Sequence, residues 1–200
     1  MAVKVGVVAV QGDVSENVEA VRRALAAMDV RGEVTEVRRG ASVKELDAII
    51  LPGGESTTIS KFIRTKGIFD EILALSRRGG AVLGTCAGAI LLADEGDDQV
   101  AKTSTELFGL MSMSVDRNHF GRQRESFEAP VKMETLDRDF SGVFIRAPGI
   151  RTVRGECVAR GWLKDGTIVA AEQESFVALA FHPELTKDTR VHEWFLKRVV

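Results

Sequence analysis

Along the first half of the chain, apolar runs short enough to be strands alternate with stretches whose apolar residues recur every three or four positions. Val3 to Val10 reads as a strand, Val14 to Met28 as a helix, and Glu33 to Val37 and Ala48 to Leu51 as further strands. Helical candidates follow at Thr57 to Arg64 and Ile68 to Arg77, and then the run Ala81-Val82-Leu83 leads into a helix-like stretch from Ala89 to Ala93. Buried strand-like runs alternating with helix-like ones predict a parallel sheet covered on both faces. After about Gly96 the runs shorten: Gly109 to Val115, Ser126 to Lys132, Val143 to Ile145, Thr152 to Val158 and Thr167 to Ala171 predict antiparallel strands and loops added to one side. A last strand-like run, Val177 to Phe181, precedes a closing helix from Thr189 to Val199 that carries Val191, Trp194, Phe195 and Val199 on one face. The prediction is an α/β fold of three layers, with a mostly parallel central sheet, helices on both faces and a small antiparallel addition. No internal repeat, low-complexity tract or linker interrupts it, so residues 1–200 read as one domain.

Composition narrows the class. At 200 residues, 44% hydrophobic and 28% charged, the chain can bury one substantial core. A net charge of −2 gives no electrostatic footprint for nucleic acid or an anionic membrane. No apolar run approaches the roughly 20 residues that span a bilayer, and the N-terminus begins directly with a strand, so a cytoplasmic protein is expected. The two cysteines, Cys86 and Cys157, lie in no C-x-x-C pair and beside no histidine at metal-ligand spacing, so neither a disulfide nor a metal site is expected. Cys157, within Val153 to Val158, reads as an inert strand residue.

Gly84-Thr85-Cys86-Ala87-Gly88 places the other cysteine at a strand-to-helix turn, a nucleophile elbow with sulfur in place of oxygen. Glycines two before and two after it would let the chain turn sharply, and the first N–H groups of the helix, aimed at the sulfur, favour a thiolate. The same five residues also fit a buried cysteine in a glycine-lined turn, and position must decide between these readings. Near the other end Val177-Ala178-Leu179-Ala180-Phe181 stops at His182-Pro183-Glu184. Proline biases the histidine toward an extended conformation and cannot continue a ladder, which puts His182 where α/β proteins place their sites. Spacing alone does not bring Glu184 to the ring, since an unbroken strand would point both side chains the same way without contact. A cysteine, a histidine and a carboxylate at strand ends are nonetheless the set that thiol acyl transfer needs. Gly53-Gly54-Glu55-Ser56, after Ala48 to Leu51, can offer backbone N–H groups to an anion, and the amides of Gly54 and Ala87 are the candidate oxyanion donors. A plain turn leading into a helix capped by Ser56 or Thr57 fits that loop equally.

These residues resemble the class I glutamine amidotransferases, and within them the glutaminase subunits of pyridoxal 5′-phosphate synthase. The likeness runs from Val5 to about Val199. It rests on Gln11-Gly12, Leu51-Pro52-Gly53-Gly54-Glu55-Ser56-Thr57-Thr58, the cysteine elbow, Arg117-Asn118-His119-Phe120-Gly121-Arg122-Gln123, Phe144-Ile145-Arg146-Ala147-Pro148 and Phe181-His182-Pro183-Glu184-Leu185-Thr186. The elbow and His-Pro-Glu indicate the reaction, and the other strings indicate the vitamin B6 branch. Asn17 departs from the histidine that many members carry, a difference that concerns a partner and leaves the triad intact.

The resemblance implies a Cys86–His182–Glu184 triad that hydrolyses L-glutamine through a thioester. Gly53, Gly54, Glu55, Arg117, Ile145 and Arg146 would contact glutamine, with the arginines as partners for its α-carboxylate. Without the likeness, Arg117, His119, Arg122 and Arg124 read as a solvated basic loop. The likeness also implies a (β/α)₈ synthase subunit as the partner that uses the ammonia, with Gln11 helping to complete the oxyanion site on docking. No cofactor is expected on this chain, since no lysine occupies a recognisable Schiff-base setting. Two other readings are kept: a glutaminase serving another synthase, such as that of histidine biosynthesis, and a DJ-1-like protein using the elbow cysteine for other purposes.

Overall fold

Val5, Val7, Val8 and every residue from Ala48 to Leu51 have no solvent exposure in the computed structural model, which describes residues 2–121 and 126–200. Burial on both faces explains why these strands show no polar alternation. In chain order the elements are β1 (Val3–Val8), α1 (Val14–Ala27), β2 (Gly32–Val37), β3 (Ala48–Leu51), α2 (Ser56–Thr65), α3 (Ile68–Arg77), β4 (Ala81–Thr85), α4 (Ala87–Leu92), β5 (Ala93–Gly96), α5 (Asp98–Lys102) and β6 (Met111–Asp116). They continue with β7 (Ser126–Met133), β8 (Phe140–Ile145), β9 (Gly149–Val153), β10 (Val158–Trp162), β11 (Ile168–Gln173), β12 (Phe176–Leu179) and α6 (Arg190–Leu196). Short 3₁₀ turns stand at Gly40–Val43 and Pro183–Leu185.

The described strands form one twelve-stranded sheet. Its parallel block runs β2-β1-β3-β4-β12, and Leu51 pairs with Gly84 while Leu179 pairs with Thr85, so β3, β4 and β12 finish level with one another. Pleating divides each strand between two cores: Ile49, Leu51 and Val82 face Ile59, Ile63, Ile72 and Leu91, whereas Ile50 and Leu83 face Val21, Leu25, Val191 and Phe195. Full burial of each such side chain contributes about 1.5–3 kcal/mol of apolar transfer. α2, α3 and α4 therefore cover one face, and α1 and α6 the other.

The addition to the parallel block is larger than expected, with more strands outside the block than in it, and all of its pairings except the parallel β5–β6 pair are antiparallel. β11 pairs with β12 and continues through β10, β7 and β8, while β9 branches from β11 and carries β6 and β5. The single run expected over residues 152–158 is two strands. Gly155, at φ +57°, turns the chain between β9 and β10, and Cys157 lies in that turn, buried but outside any strand. β5 and α5 escaped prediction because Ala93-Asp94-Glu95-Gly96 and the residues after it have no apolar run. α6 is also shorter than the periodicity suggested, ending at Leu196.

Candidate active site

Four neighbouring parallel strands deliver their carboxyl ends to one edge of the sheet, where α/β proteins bind ligands. β1 is followed by Gln11-Gly12-Asp13, β3 by Gly53-Gly54-Glu55, β4 by Cys86, and β12 by His182. A pocket of about 710 Å³ opens there, lined by residues that include Asp13, Gly54, Glu55, Cys86, Ala87, Arg117, Ile145, Arg146 and His182.

The elbow is tighter than a glycine-eased turn. Cys86 itself takes the left-handed conformation, at φ 49°, which L-residues rarely adopt and which clusters at functional sites. Its N–H donates to the Leu179 carbonyl at 2.7 Å, fixing the elbow to the end of β12. Gly84 and Gly88 are needed for space, a correction to the role expected for them: a Cβ on Gly84 would lie 2.4 Å from the Gly88 carbonyl oxygen, and one on Gly88 would lie 2.1 Å from that of Leu51. α4 can thereby start hard against β3 and β4, with Ala87 as its first residue and its amide among those a helix cannot satisfy internally. The sulfur is buried and lies 3.8 Å from the carbonyl oxygen of Ile145.

His182 leaves the sheet just after β12, its N–H donating to the Val143 carbonyl at 2.8 Å. Pro183 then opens a 3₁₀ turn in place of further strand, and that turn folds Glu184 back until Oε1 lies 2.8 Å from His182 Nδ1. Both side chains are buried. The other ring nitrogen, Nε2, is buried with no hydrogen-bond partner among the described residues. Burial disfavours the imidazolium, but the interactions with Asp13, Cys86 and Glu184 outweigh it, raising the pKa of His182 far above the ordinary 6.5.

Asp13 is the unforeseen member. Its Oδ2 lies 3.3 Å from His182 Nδ1, and the hydrogen bond with the ring lowers the aspartate pKa against the opposing effect of burial. An aspartate just before a helix reads from sequence as an ordinary N-cap, so nothing in the chain pattern pointed to the ring. One ligand atom each from Asp13, His182 and Glu184 lie within 4.8 Å of one another, and the proton shared at Nδ1 accounts for that convergence.

Gly53 and Gly54 have separate duties. A Cβ on Gly53 would sit 2.2 Å from His182 Cε1, so this glycine makes room for the ring and does not line the pocket. Gly54 lines it, at φ +141°. Gln11 Oε1 accepts from the Glu55 N–H at 3.0 Å, and Gly12 approaches so closely that a Cβ there would be 1.8 Å from the Gly53 carbonyl oxygen. Glu55 caps α2, accepting from the amides of Thr57 at 3.1 Å and Thr58 at 2.7 Å. The cap is therefore Glu55 and not Ser56 or Thr57. Burial would raise its pKa, but the hydrogen bonds from Thr58 and Thr57 and the charge of Arg117 bring it down to about 2.

Arg117 is no solvated loop residue. Its guanidinium pairs with Glu55 and donates to the hydroxyls of Thr57 and Thr103, both at 3.2 Å. His119 stacks edge-on to Phe120 at 4.9 Å and fits against Gly149. Phe120, Phe127, Phe144 and Phe181 then form a contiguous aromatic cluster that anchors β8, beyond which Ile145 and Arg146, the latter at φ 44°, enter the pocket. Arg122, Gln123 and Arg124 lie outside the described residues.

A parallel sheet whose edge gathers an elbow thiol, an imidazole backed by a carboxylate and a glycine loop has the architecture of the class I glutamine amidotransferases. The chain belongs to the SNO glutamine amidotransferase family, whose model matches residues 7–200. It is 55% identical over 194 residues to "Pyridoxal 5'-phosphate synthase subunit PdxT" of Archaeoglobus fulgidus, covering 97% of each chain, and 51% identical over 196 residues to the protein of the same name from Methanosarcina barkeri, covering 98% of each. A solved structure titled "Crystal structure of glutamine amidotransferase" superposes with a TM-score of 0.85 at 42% identity, covering 98% of both chains. The fold alone is shared with "Structure of PurLQS from Thermotoga maritima", at a TM-score of 0.63 and 14% identity over 100% of each chain.

Proposed function

We propose that this chain is the glutaminase subunit of a pyridoxal 5′-phosphate synthase, acting as a single domain in the cytoplasm and handing ammonia to a (β/α)₈ synthase subunit. The observation that carries the catalytic reading is the His182 ring, with Nδ1 on Glu184 at 2.8 Å and Nε2 buried without another partner, in the pocket that Cys86 also lines. The partner reading is supported by relatives about half identical over nearly the whole chain that bear the synthase subunit's name.

Cys86 Sγ adds to the side-chain carboxamide carbon of glutamine while its proton passes to His182. The amides of Gly54 and Ala87 stabilise the oxyanion. His182 gives the proton to the departing nitrogen, the C–N bond breaks, and ammonia leaves a glutamyl thioester. Water then loses a proton to His182 and adds to the thioester carbon. Cleavage of the C–S bond returns the thiol and releases glutamate. Glu184 supports the imidazolium throughout. Arg117 meets the substrate's α-carboxylate with its charge already shared with Glu55, which keeps the guanidinium oriented before substrate arrives.

Ammonia transfer tests both halves. The chain is mixed with a (β/α)₈ synthase, glutamine, a pentose phosphate and a triose phosphate, and the coenzyme is measured. Coenzyme formation that disappears with Cys86→Ala supports the proposal. A Cys86→Ala protein that still hydrolyses glutamine at the parental rate refutes the triad, and a glutaminase rate indifferent to added synthase refutes the docking.

A further inference from the structure

Asp13 occupies the N-cap position of α1, where an aspartate ordinarily spends its carboxylate on the free amides of the first turn. It makes no side-chain capping bond there. Asn17, fully buried, instead holds the Asp13 backbone carbonyl through its side-chain amide at 2.7 Å, and the Asn17 N–H reaches the same oxygen at 3.2 Å. With its backbone held in this way, the residue points its carboxylate at the ring of His182, 3.3 Å away. Gly53, bare of a side chain, leaves the gap through which the two meet: a Cβ there would stand 3.0 Å from Nδ1 and 3.2 Å from Asp13 Oδ2.

The two carboxylates at Nδ1 are not equivalent. Glu184 has no side-chain exposure, whereas Asp13 is 37% exposed and lines the pocket. We propose that Asp13 is a second positioning carboxylate of the triad, holding His182 Nδ1 from the pocket side while Glu184 holds it from the buried side. The inference rests on the reading of His182 as the base that serves Cys86. Among the described residues, the titratable groups around the ring are Cys86 from the β4–α4 elbow, Asp13 from the start of α1 and Glu184 from the 3₁₀ turn. The other charged side chains lining the pocket are Glu55, Arg117 and Arg146.

A cap and a positioning carboxylate answer differently to substitution. Asn and Ser cap helices about as well as Asp but carry no charge to support an imidazolium. The ring signals of His182 are therefore titrated against pH by NMR of the full-length, histidine-labelled chain in the parent, Asp13→Asn, Asp13→Ser and Asp13→Glu, with Cys86→Ala reporting how far the sulfur raises the ring. The pH at which the thiolate–imidazolium pair gives up its last proton should fall by about one unit in the Asn and Ser variants, and recover at least partly in Asp13→Glu. Glutaminase kcat should fall by about tenfold in the two uncharged variants, with KM for glutamine within about twofold of the parent. Parental titration curves in both uncharged variants overturn the proposal, as does a loss of Tm without a change in the curve, which is the signature of a lost cap. The ring titration needs no turnover. A His182 ring that titrates identically in the parent and in Cys86→Ala would overturn the triad reading itself, and this inference with it.

Discussion

Glu184 reaches the Nδ1 of His182, two residues away, because the chain turns at Pro183 instead of continuing as strand. The pair is sealed from water, so the carboxylate acts on the ring at low dielectric, where a charge supports an imidazolium most strongly. Glu184→Gln preserves shape and removes that charge. We expect kcat for glutamine hydrolysis to fall by about 100-fold or more with little change in KM. A kcat within a few-fold of the parent would show that Glu184 only fills space.

Gly53 offers a sharper steric test. Its backbone lies outside the left-handed region, so alanine adds no conformational strain, yet the new methyl carbon would sit 2.2 Å from His182 Cε1. The ring must move, and displacement of a catalytic group by about 1 Å can cost about 100-fold. Gly53→Ala should therefore lose about that much kcat and retain glutamine binding, since Gly53 does not line the pocket. Steady-state kinetics decide it, and an unaltered kcat would mean the ring has freedom this packing does not suggest.

The parallel block was readable because β1, β3 and β4 are dominated by apolar residues, and the elbow because Cys86 is bracketed by glycines between a strand and a helix. What could not be read was set by tertiary contact. Gly84 and Gly88 serve approaches to Gly88 and Leu51 that no local pattern encodes. Asp13 looks like a cap in one dimension and becomes a partner of His182 only once β1 and β12 end at the same sheet edge. Likewise, Glu55 and Arg117, 62 residues apart, could be grouped by resemblance to a family but not joined as an ion pair by spacing.

Arg117 already has a carboxylate partner in Glu55, so under the proposed reading a substrate carboxylate would join an occupied guanidinium. Arg117→Gln keeps polar contacts open to Thr57 and Thr103 while removing the charge-assisted bond to substrate. KM for glutamine should rise by about 10- to 100-fold, the range for losing a hydrogen bond to a charged group. The titration of the His182 ring should be unmoved, because the structure gives Arg117 no contact with His182. A KM equal to the parent's would take Arg117 out of the glutamine site.

His192, on α6, is fully enclosed, with Nε2 unpartnered among the described residues. Burial first, and then the charge of Arg23, push its pKa down to about 4. The unfolded chain binds a proton at this residue below about pH 6.5, but the folded chain does not until near pH 4. Stability must therefore fall as pH drops between those values, by up to about 3 kcal/mol, and be insensitive to this residue above them. Other shifted groups leave the window clear. His182 is raised, so its contribution is already complete below its unfolded pKa and declines only at higher pH. Asp13, Glu55 and Asp97 are lowered, and their contributions fade only as pH falls through the carboxylate range. Between about pH 6.5 and 4.5 the slope of unfolding free energy should thus belong largely to His192. Denaturant melts of the parent should lose stability steadily across that interval, and His192→Leu, which cannot be protonated, should flatten the slope. An equal slope in both proteins would place the acid sensitivity elsewhere.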